Sequence, residues 1–272
     1  MDATTPARSF CKRRRETTRF RGDNRWMANS PSGDSVLDRV LRILESFDAS
    51  SPTLTVGALA RRADLPQASA YRIVDDMVRR GFLDRQPTGE VRPGLRLWEL
   101  VTRCYPARDL RDAALPFIQD VQSIVHQHTQ LAVFQDDEIL VLERLSSADS
   151  VTNQASVAYR LPVHDTSLGM SMLAFSLPHR QEQYLREHPE IDHRFDGGLR
   201  RALAEIRTHG YALLDGALDE GTTGIAVPVL DRSKHAMASL GVVVPTGTRR
   251  HTIVAVLSAA ARGIARSSGQ GP

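Results

Sequence analysis

Cysteine is scarce in this 272-residue chain, which contains only Cys11 and Cys104. Two isolated cysteines form neither a disulfide framework nor the paired spacing of a zinc site. Free thiols are typical of a reducing compartment, so we expect a cytoplasmic protein. The chain also lacks any run of about 18 apolar residues, the length of a membrane-spanning helix, so we expect no membrane partner.

The recognisable motifs of catalysis and metal binding are missing as well. There is no H-E-x-x-H, G-x-G-x-x-G or P-loop, and "GMSML" around Ser171 lacks the second glycine of a nucleophile elbow. His126 and His128 are two positions apart, which on a helix places them on different faces. The acidic pairs Asp136–Asp137 and Asp219–Glu220 fall in polar turns, where carboxylates are usually solvated. We therefore expect no catalytic residue, no metal and no cofactor, and a small-molecule-binding enzyme is the weaker alternative.

Charge is unevenly distributed along the chain. Residues 1–30 contain eight basic and three acidic side chains, whereas the whole chain has a net charge of only +3. A basic segment ahead of a nearly neutral body favours a polyanionic partner, above all nucleic acid. Residues 1–33 show no apolar period, so we expect a disordered basic tail. No apolar segment follows the basic residues, so a secretory signal is not expected. A solvated tail without a partner, or a start upstream of the native one, is the alternative.

Residues 34–94 have the element order of a winged helix-turn-helix. Apolar residues recur every three or four positions in the first helix, and Thr55 can cap a short second one. Pro66 favours a tight turn before a third helix over residues 67–80. Two short strands around a turn at Gly89 follow it. Helix, helix, turn, helix and hairpin together predict a DNA-binding domain. A plain three-helix bundle with a hairpin is the alternative.

The third helix has one polar and one apolar face. In a helix-turn-helix, the first residues of this helix point at base edges, and the later ones pack on the other helices. Gln67 can pair with adenine, and Arg72 can pair with guanine or a phosphate. The predicted DNA contacts come from this helix and the wing: Gln67, Ala68, Ser69, Tyr71, Arg72, Arg85, Thr88 and Arg92.

The rest of the chain predicts a linker and a second domain. Residues 95–128 are expected to form a linker helix that helps the chain to dimerise, because it carries a long apolar stripe: Leu97, Trp98, Val101, Tyr105 and Leu110. Strand-like and helical segments alternate over residues 129–266, among them a strand-like "VTNQASVAY". This alternation is typical of an α+β domain with an antiparallel sheet. Residues 267–272 are expected to be a disordered tail. A purely architectural DNA-binding protein would not explain this second domain.

Four stretches resemble the IclR family of bacterial transcription regulators: "SVLDRVLRILESF", "LTVGALARRADLPQASAYRIVDDMVRRGFLDR", "RLPVHDTSLGMSMLAF", and "GYALLDGALDEGTTGIAVPVLD" continuing to "ASLGVVVP". The resemblance spans nearly all of residues 34–266. It implies an α+β protein of two domains, a winged helix-turn-helix joined by a linker helix to a GAF-like effector-binding domain. It also implies homodimers, often paired into tetramers, on a double-stranded DNA operator. Such regulators repress or activate operons of small-molecule catabolism, and we expect a repressor.

This chain departs from the family pattern where the effector would bind. The family often has a Gly-Lys pair where this chain has Gly169-Met170. Members that sense small carboxylates tend to carry an acidic residue, a cysteine and serines at the places that here hold Leu214, Gly224 and the stretch 241–243. These departures disfavour a very small polar effector.

A cup in the second domain is the predicted effector site. Free backbone amides at the start of a helix near Ser167 can bind a carboxylate. Glycines leave room and apolar side chains form walls, so we expect an aromatic acid or a related aromatic compound. A small aliphatic carboxylate is the alternative. The predicted lining residues are Thr166, Ser167, Leu168, Gly169, Asp215, Gly224, Ser239, Gly241 and Val243.

Overall fold

The computed structural model describes residues 34–48, 50–104, 106–148, 150–151, 153 and 155–269. The expected basic tail and the last three residues of the expected C-terminal tail lie outside these ranges, as does Tyr105 of the expected linker stripe. The chain divides into two compact units, with the boundary between Val101 and Thr102. No helix of the described part is long and apolar enough to cross a bilayer.

The first unit is a three-helix domain with a β-hairpin. Its first helix begins with a capping box. The Ser35 hydroxyl accepts a hydrogen bond from the amide of Asp38 at 3.1 Å, and the Asp38 carboxylate accepts one from the amide of Ser35 at 2.9 Å. Thr55 caps the second helix in the same way, accepting from the amide of Ala58 at 3.2 Å. The elements are α1 (Val36–Glu45), α2 (Val56–Arg62), α3 (Gln67–Arg79), β1 (Leu83–Arg85), β2 (Val91–Pro93) and the start of α4 (Leu95–Cys104).

Local backbone preferences fix both ends of α3. Pro66 precedes the helix in an extended conformation, and Gly81 follows it with φ +75°, which few side chains tolerate. The apolar face of α3 packs against α1, α2 and the hairpin to form one core. The fully or nearly fully buried residues of this core include Ile43, Leu59, Ala70, Ile73, Val74, Met77, Leu83 and Val91. Burying side chains of this size stabilises the domain by about 1.5–3 kcal/mol each.

The second unit is built on a six-stranded antiparallel sheet of order β5-β4-β3-β8-β7-β6. Its strands are β3 (His128–Gln135), β4 (Glu138–Leu145), β5 (Arg160–Pro162), β6 (Ala212–Asp215), β7 (Thr222–Leu230) and β8 (Ala236–Pro245). Its helices are α5 (Pro106–Val125), α6 (Ser167–Ala174), α7 (Pro178–Glu187), α8 (Leu199–His209) and α9 (Arg250–Ser267). A 3₁₀ turn, Val163–Asp165, leads into α6.

Helices cover both faces of this sheet. Leu131 and its neighbours on one face pack against α5 and α9, whereas Ala132 and its neighbours on the other face pack against α6 and α8. Because both faces are buried, the inner strands β7 and β8 are apolar at most positions. A cavity lies on the face that carries α6.

The structure differs from the sequence expectation at the linker. The expected linker, 95–128, consists of two helices, and α5 belongs to the core of the second unit, where Ile118 and Val121 are fully buried. The apolar face of α5 is therefore covered by α9 and the sheet of its own chain, whereas Trp98 and Val101 of the expected stripe lie exposed on α4.

Two further segments differ from expectation. The described residues of "VTNQASVAY" form a loop, and the strand there is limited to β5. The reason is that side chains of β3 and β4 hold this loop by its carbonyl groups. At the other end of the domain, α9 continues through Ser267, which was expected to lie in the tail.

Candidate functional site

The α3 helix presents an exposed polar stripe on the first unit. Gln67, Ala68, Tyr71 and Arg72 are exposed, and Ser69 at the edge of the stripe is half-buried. Positions three and four apart lie on one side of a helix, so these side chains share the face opposite to the buried core residues. Arg72 has no ion-pair partner among the residues that the structure describes. The stripe therefore offers an amide, a hydroxyl, a phenol and a free cation to a partner.

The hairpin after α3 carries the predicted wing residues. Thr88 is exposed at its tip, and its hydroxyl lies 3.4 Å from the carboxylate of Glu90. Arg92 lies 3.7 Å from the carboxylate of Asp84. These side chains lie at the surface, where they can exchange their present partners for a polyanion.

One ion pair joins the hairpin to α3. The Nη2 atom of Arg85 lies 2.6 Å from a carboxylate oxygen of Asp75 on α3. Both side chains are more than one-third exposed, so solvent screens the pair and its contribution to stability is small. The pair instead sets where the Arg85 guanidinium stands relative to α3.

The second unit contains a cavity between the sheet and the start of α6. The centres of water-sized spheres fit in about 40 Å³ of it, and the total empty space, including the solvent at its mouth, is about 450 Å³. The sheet forms its floor, the start of α6 forms its roof, and two loops form its sides. The lining residues are Gln130, Asn153, Ala155, Leu161, Asp165, Thr166, Ser167, Leu168, Leu214, Ala217, Leu218, Asp219, Thr222, Gly224 and Val243.

The roof of the cavity is the N-terminus of α6. Thr166 caps this helix, its hydroxyl accepting from the amide of Gly169 at 2.9 Å. The amides of Ser167 and Leu168, the first two of the helix, have no partner in the described part of the chain. Unpaired amides and the positive end of the helix dipole together attract an acceptor or an anion.

The floor is open because β7 carries a glycine under the start of α6. A Cβ atom at Gly224 would lie 2.8 Å from the hydroxyl oxygen of Ser167. Gly224 is flanked by Val243 on β8 and by Leu214 on β6, its register partners on the two neighbouring strands. Both side chains form part of the same floor. Space beneath the helix thus depends on the absence of a side chain at position 224.

Five of the nine predicted effector residues line this cavity: Thr166, Ser167, Leu168, Gly224 and Val243. Two of the others are glycines that serve packing. A Cβ atom at Gly169 would lie 2.3 Å from the carbonyl oxygen of Val163, so this glycine lets α6 pack on the preceding turn. A Cβ atom at Gly241 would meet the side chains of Ala226 and Leu168, each at 2.9 Å.

The remaining two predicted residues bind partners within the fold. Asp215 accepts a hydrogen bond from the Thr223 hydroxyl, on the strand beside it. Ser239 is fully buried, and its hydroxyl oxygen lies 2.6 Å from that of Ser171. Neither Asp215 nor Ser239 is among the residues that line the cavity.

The cavity contains two polar residues that the sequence analysis missed. Gln130 on β3 is buried, and its Nε2 atom has no hydrogen-bond partner in the described part of the structure. The Nδ2 atom of Asn153, in the loop before β5, is likewise buried and unpaired there. An uncharged polar residue directly before the apolar run "LAVF" of this strand was the available signal for Gln130.

Among the described residues, the cavity lining includes no arginine, lysine or histidine. It contains hydrogen-bond donors and two carboxylates, those of Asp165 and Asp219. Asp165, at the edge of the roof, is compensated by Arg194 at 2.7 Å. Behind it, burial lowers the pKa of His164, whose Nδ1 atom lies 2.6 Å from the hydroxyl oxygen of Tyr184. In the described ranges, no group of three or more His, Cys, Asp or Glu residues could hold a metal ion.

Each of the two units matches a known protein family. Residues 36–87 match the family described as IclR helix-turn-helix domain. Residues 103–266 match the family described as bacterial transcriptional regulator IclR C-terminal. The first match contains α3, and the second contains the cavity.

Full-length relatives cover both domains. A crystal structure of an IclR homolog from Microbacterium hydrocarbonoxydans, complexed with 4-hydroxybenzoate, is 39% identical, with a TM-score of 0.78 over 86% of this chain and 99% of that one. The Pca regulon regulatory protein of Pseudomonas putida is 24% identical over 84% of this chain and 78% of its own length. The transcriptional repressor IclR of Escherichia coli is 22% identical over 83% and 86%. The chain belongs to the IclR family of DNA-binding transcription regulators and is not an enzyme.

Proposed function

We propose that this regulator responds to an aromatic acid, or a closely related aromatic compound, bound in the cavity under α6. One observation carries the proposal: unpaired amides at Ser167 and Leu168 face a space whose walls are mostly apolar. The amides can bind a carboxylate, and the apolar walls can bury a ring. The 39% identical relative with 4-hydroxybenzoate supports the same class of ligand.

The apolar walls favour a ring over a two- or three-carbon acid. Leu161, Leu168, Leu214, Leu218 and Val243 all contribute to the lining. A small aliphatic acid would leave most of this surface uncovered, whereas a ring would gain about 25 cal/mol for each Å² of apolar surface that it buries. The helix N-terminus alone would bind either ligand, so the walls decide between them.

On DNA, we propose that α3 lies in the major groove and that the wing contacts the backbone beside it. Gln67, Ala68, Ser69, Tyr71 and Arg72 form the exposed stripe that this docking requires. Arg85, Thr88 and Arg92 are the wing contacts of the same proposal. A homodimer, alone or paired into a tetramer, would place two such helices on the two halves of an operator.

We propose that the protein represses an operon that degrades its effector. Ligand binding changes regulation only if the ligand prefers one arrangement of the domains over another. The effector would therefore release the operator by stabilising an arrangement of the dimer that fits the DNA less well.

Thermal denaturation and calorimetry with benzoate-like and pyruvate-like acids test the effector class. A specific ligand stabilises the folded state by mass action, so benzoate-like acids should raise Tm and pyruvate should not. Gly224→Leu and, independently, Val243→Phe fill the cavity from two strands and should abolish the aromatic response. Operator binding by each variant serves as the control for folding. Tight pyruvate binding, or aromatic binding that both variants leave intact, would show the proposal to be wrong.

A further inference from the structure

Two buried amide groups in the cavity have no partner. The side chain of Gln130 is only 3% exposed, yet its Nε2 atom makes no hydrogen bond within the described residues. The Nδ2 atom of Asn153 is also buried and makes no hydrogen bond within the described residues, and both residues line the cavity. Folded proteins pair nearly all buried donors, so two unpaired donors in one cavity indicate a ligand that supplies the acceptor.

The orientation of the Asn153 amide follows from its other contact. Its Oδ1 atom accepts a hydrogen bond from the amide of Ala155 at 3.0 Å, so the Nδ2 end is the one left for the cavity. Side chains of the sheet hold this loop in place. His128 Nε2 lies 2.5 Å from the carbonyl oxygen of Val151, and Arg144 donates to the carbonyl oxygen of Ala155. The donor of Asn153 is therefore positioned by the sheet.

These donors lie on a different side of the cavity from the start of α6. Ser167 stands over Gly224 on β7, whereas Gln130 is on β3, and β8 separates the two strands. Two strand spacings correspond to about 10 Å between backbones. A ligand whose carboxylate lies at α6 therefore meets Gln130 and Asn153 with its far end.

We propose that Gln130 and Asn153 form a second polar subsite, which binds an oxygen acceptor on the part of the effector remote from its carboxylate. This inference rests on the proposed aromatic effector and narrows its class. The preferred effector is a ring acid that bears a hydroxyl or an alkoxy group away from the carboxylate. Both donors would then be paired, which neither an unsubstituted nor a methyl-substituted ring can achieve.

Calorimetry on the full-length protein tests this with four acids: benzoate, 4-methylbenzoate, 4-hydroxybenzoate and 4-methoxybenzoate, with the 3-substituted acids as a parallel series. Wild type should bind at least one oxygen-substituted acid about tenfold tighter than the methyl acid of the same position, the value of one good hydrogen bond. Gln130→Met keeps the size of the side chain but removes the donor, and Asn153→Ala removes the other. Each variant should reduce the preference to within about threefold while benzoate binding changes little.

Gln135→Leu, on the same strand but outside the cavity lining, is the matched control and should keep the preference. Gln130→Met should also raise the Tm of the ligand-free protein, because a buried unpaired donor is removed. Equal binding of hydroxy, methoxy and methyl acids to wild type would overturn the second subsite and leave the aromatic effector standing. The second subsite would also be overturned if both Gln130→Met and Asn153→Ala kept the preference for oxygen-substituted acids. A lower Tm in ligand-free Gln130→Met than in wild type would overturn it as well. Failure of every aromatic acid to bind would overturn the proposed function, and the subsite with it.

Discussion

The hydroxyl oxygens of Ser171 and Ser239 lie 2.6 Å apart, and both side chains are fully buried between α6 and β8. Ser171 also lies 3.0 Å from the carbonyl oxygen of Leu168, and Ser239 lies 3.2 Å from that of Val227. Each hydroxyl has one proton, so either serine donates to the other while the second donates to a carbonyl. This contact fixes the middle of α6 against the sheet, one turn beyond the cavity.

Ser239→Ala should lower the free energy of unfolding by about 1 kcal/mol, the usual net value of one hydrogen bond. The cost stays moderate because the Ser171 hydroxyl can still donate to Leu168. Urea denaturation measures it. The double variant Ser171→Ala/Ser239→Ala should cost less than the sum of the single variants, since both remove the same contact. Additive costs would mean that the two hydroxyls do not stabilise each other.

Arg72→Ala should weaken operator binding by about 1–3 kcal/mol if this side chain reads a guanine, and the preference for operator over random DNA should fall. If Arg72 contacts a phosphate, binding should weaken equally on all sequences and the salt dependence should fall by about one unit. Fluorescence anisotropy over a range of salt distinguishes the two outcomes. Arg201→Ala, an exposed arginine on α8, is the control. Unchanged binding by both Arg72→Ala and Gln67→Ala would contradict the assignment of α3.

Asp75→Asn should tighten DNA binding about two- to fivefold, which corresponds to the usual energy of an exposed ion pair. The carboxylate of Asp75 both holds Arg85, at 2.6 Å, and repels phosphates. If Arg85 then gains a phosphate contact, the salt dependence should become steeper by about one unit. Asp109→Asn, an exposed aspartate on α5, should have no effect. Weaker binding by Asp75→Asn would mean that the ion pair positions the wing for DNA.

Local sequence features predicted the bounds of α3 and the division between its exposed and buried faces. Pro66 and Gly81 set the ends of α3 through backbone preferences, and the helical period separates its exposed stripe from its buried face. The start of a helix near Ser167 was predicted as well, and α6 begins there. These signals depend on residues within one turn of each other, so the sequence alone contains them.

Features that depend on distant residues were not predictable in this way. Gln130 and Asn153 meet only because the loop before β5 is held back over β3. Ser239 was expected in the cavity, yet it lies under Ser171 because α6 runs on along β8. The apolar residues of the linker predicted a helix that helps the chain to dimerise, whereas α5 packs against α9 of the same chain.

Trp98→Ser should weaken a homodimer by about 2 kcal/mol or more, the level of a tryptophan at the centre of an interface. Leu95, Trp98 and Val101 are spaced by three along α4 and are 65%, 64% and 56% exposed in the single chain. An exposed apolar row of this kind marks an interaction surface. Sedimentation velocity over a concentration range measures the change, with Glu99→Gln as the control. Because Trp98 is exposed within the chain, its loss should leave the stability of the monomer unchanged. A wild-type protein that sediments as a monomer would rule out the dimer.

The free energy of unfolding should fall as the pH falls below about 6.5, the ordinary pKa of histidine. Burial lowers the pKa of His164 in the folded chain, and Asp165 opposes the shift only in part, while Arg194 and His188 add to it. Burial also lowers the pKa of His128. Between the lowered and the ordinary pKa, the unfolded state binds more protons than the folded state, so acid favours unfolding. Above about pH 7.5 these sites are almost entirely unprotonated in both states, and this contribution is constant.

His164→Gln retains a polar side chain but cannot take up a proton. The free energy of unfolding of this variant should therefore depend less on pH between about pH 7.5 and 5.5 than that of wild type. Urea denaturation at several pH values in this window measures the slope. The Nδ1 atom of His164 lies 2.6 Å from the Tyr184 hydroxyl, so the variant should also lose about 1 kcal/mol at every pH if glutamine cannot replace this hydrogen bond. His128→Gln should remove a further part of the slope. The free energy of unfolding of the double variant His164→Gln/His128→Gln could still depend on pH as steeply as that of wild type. In that case the two imidazoles would titrate alike in the folded and unfolded states, and other groups would cause the acid sensitivity.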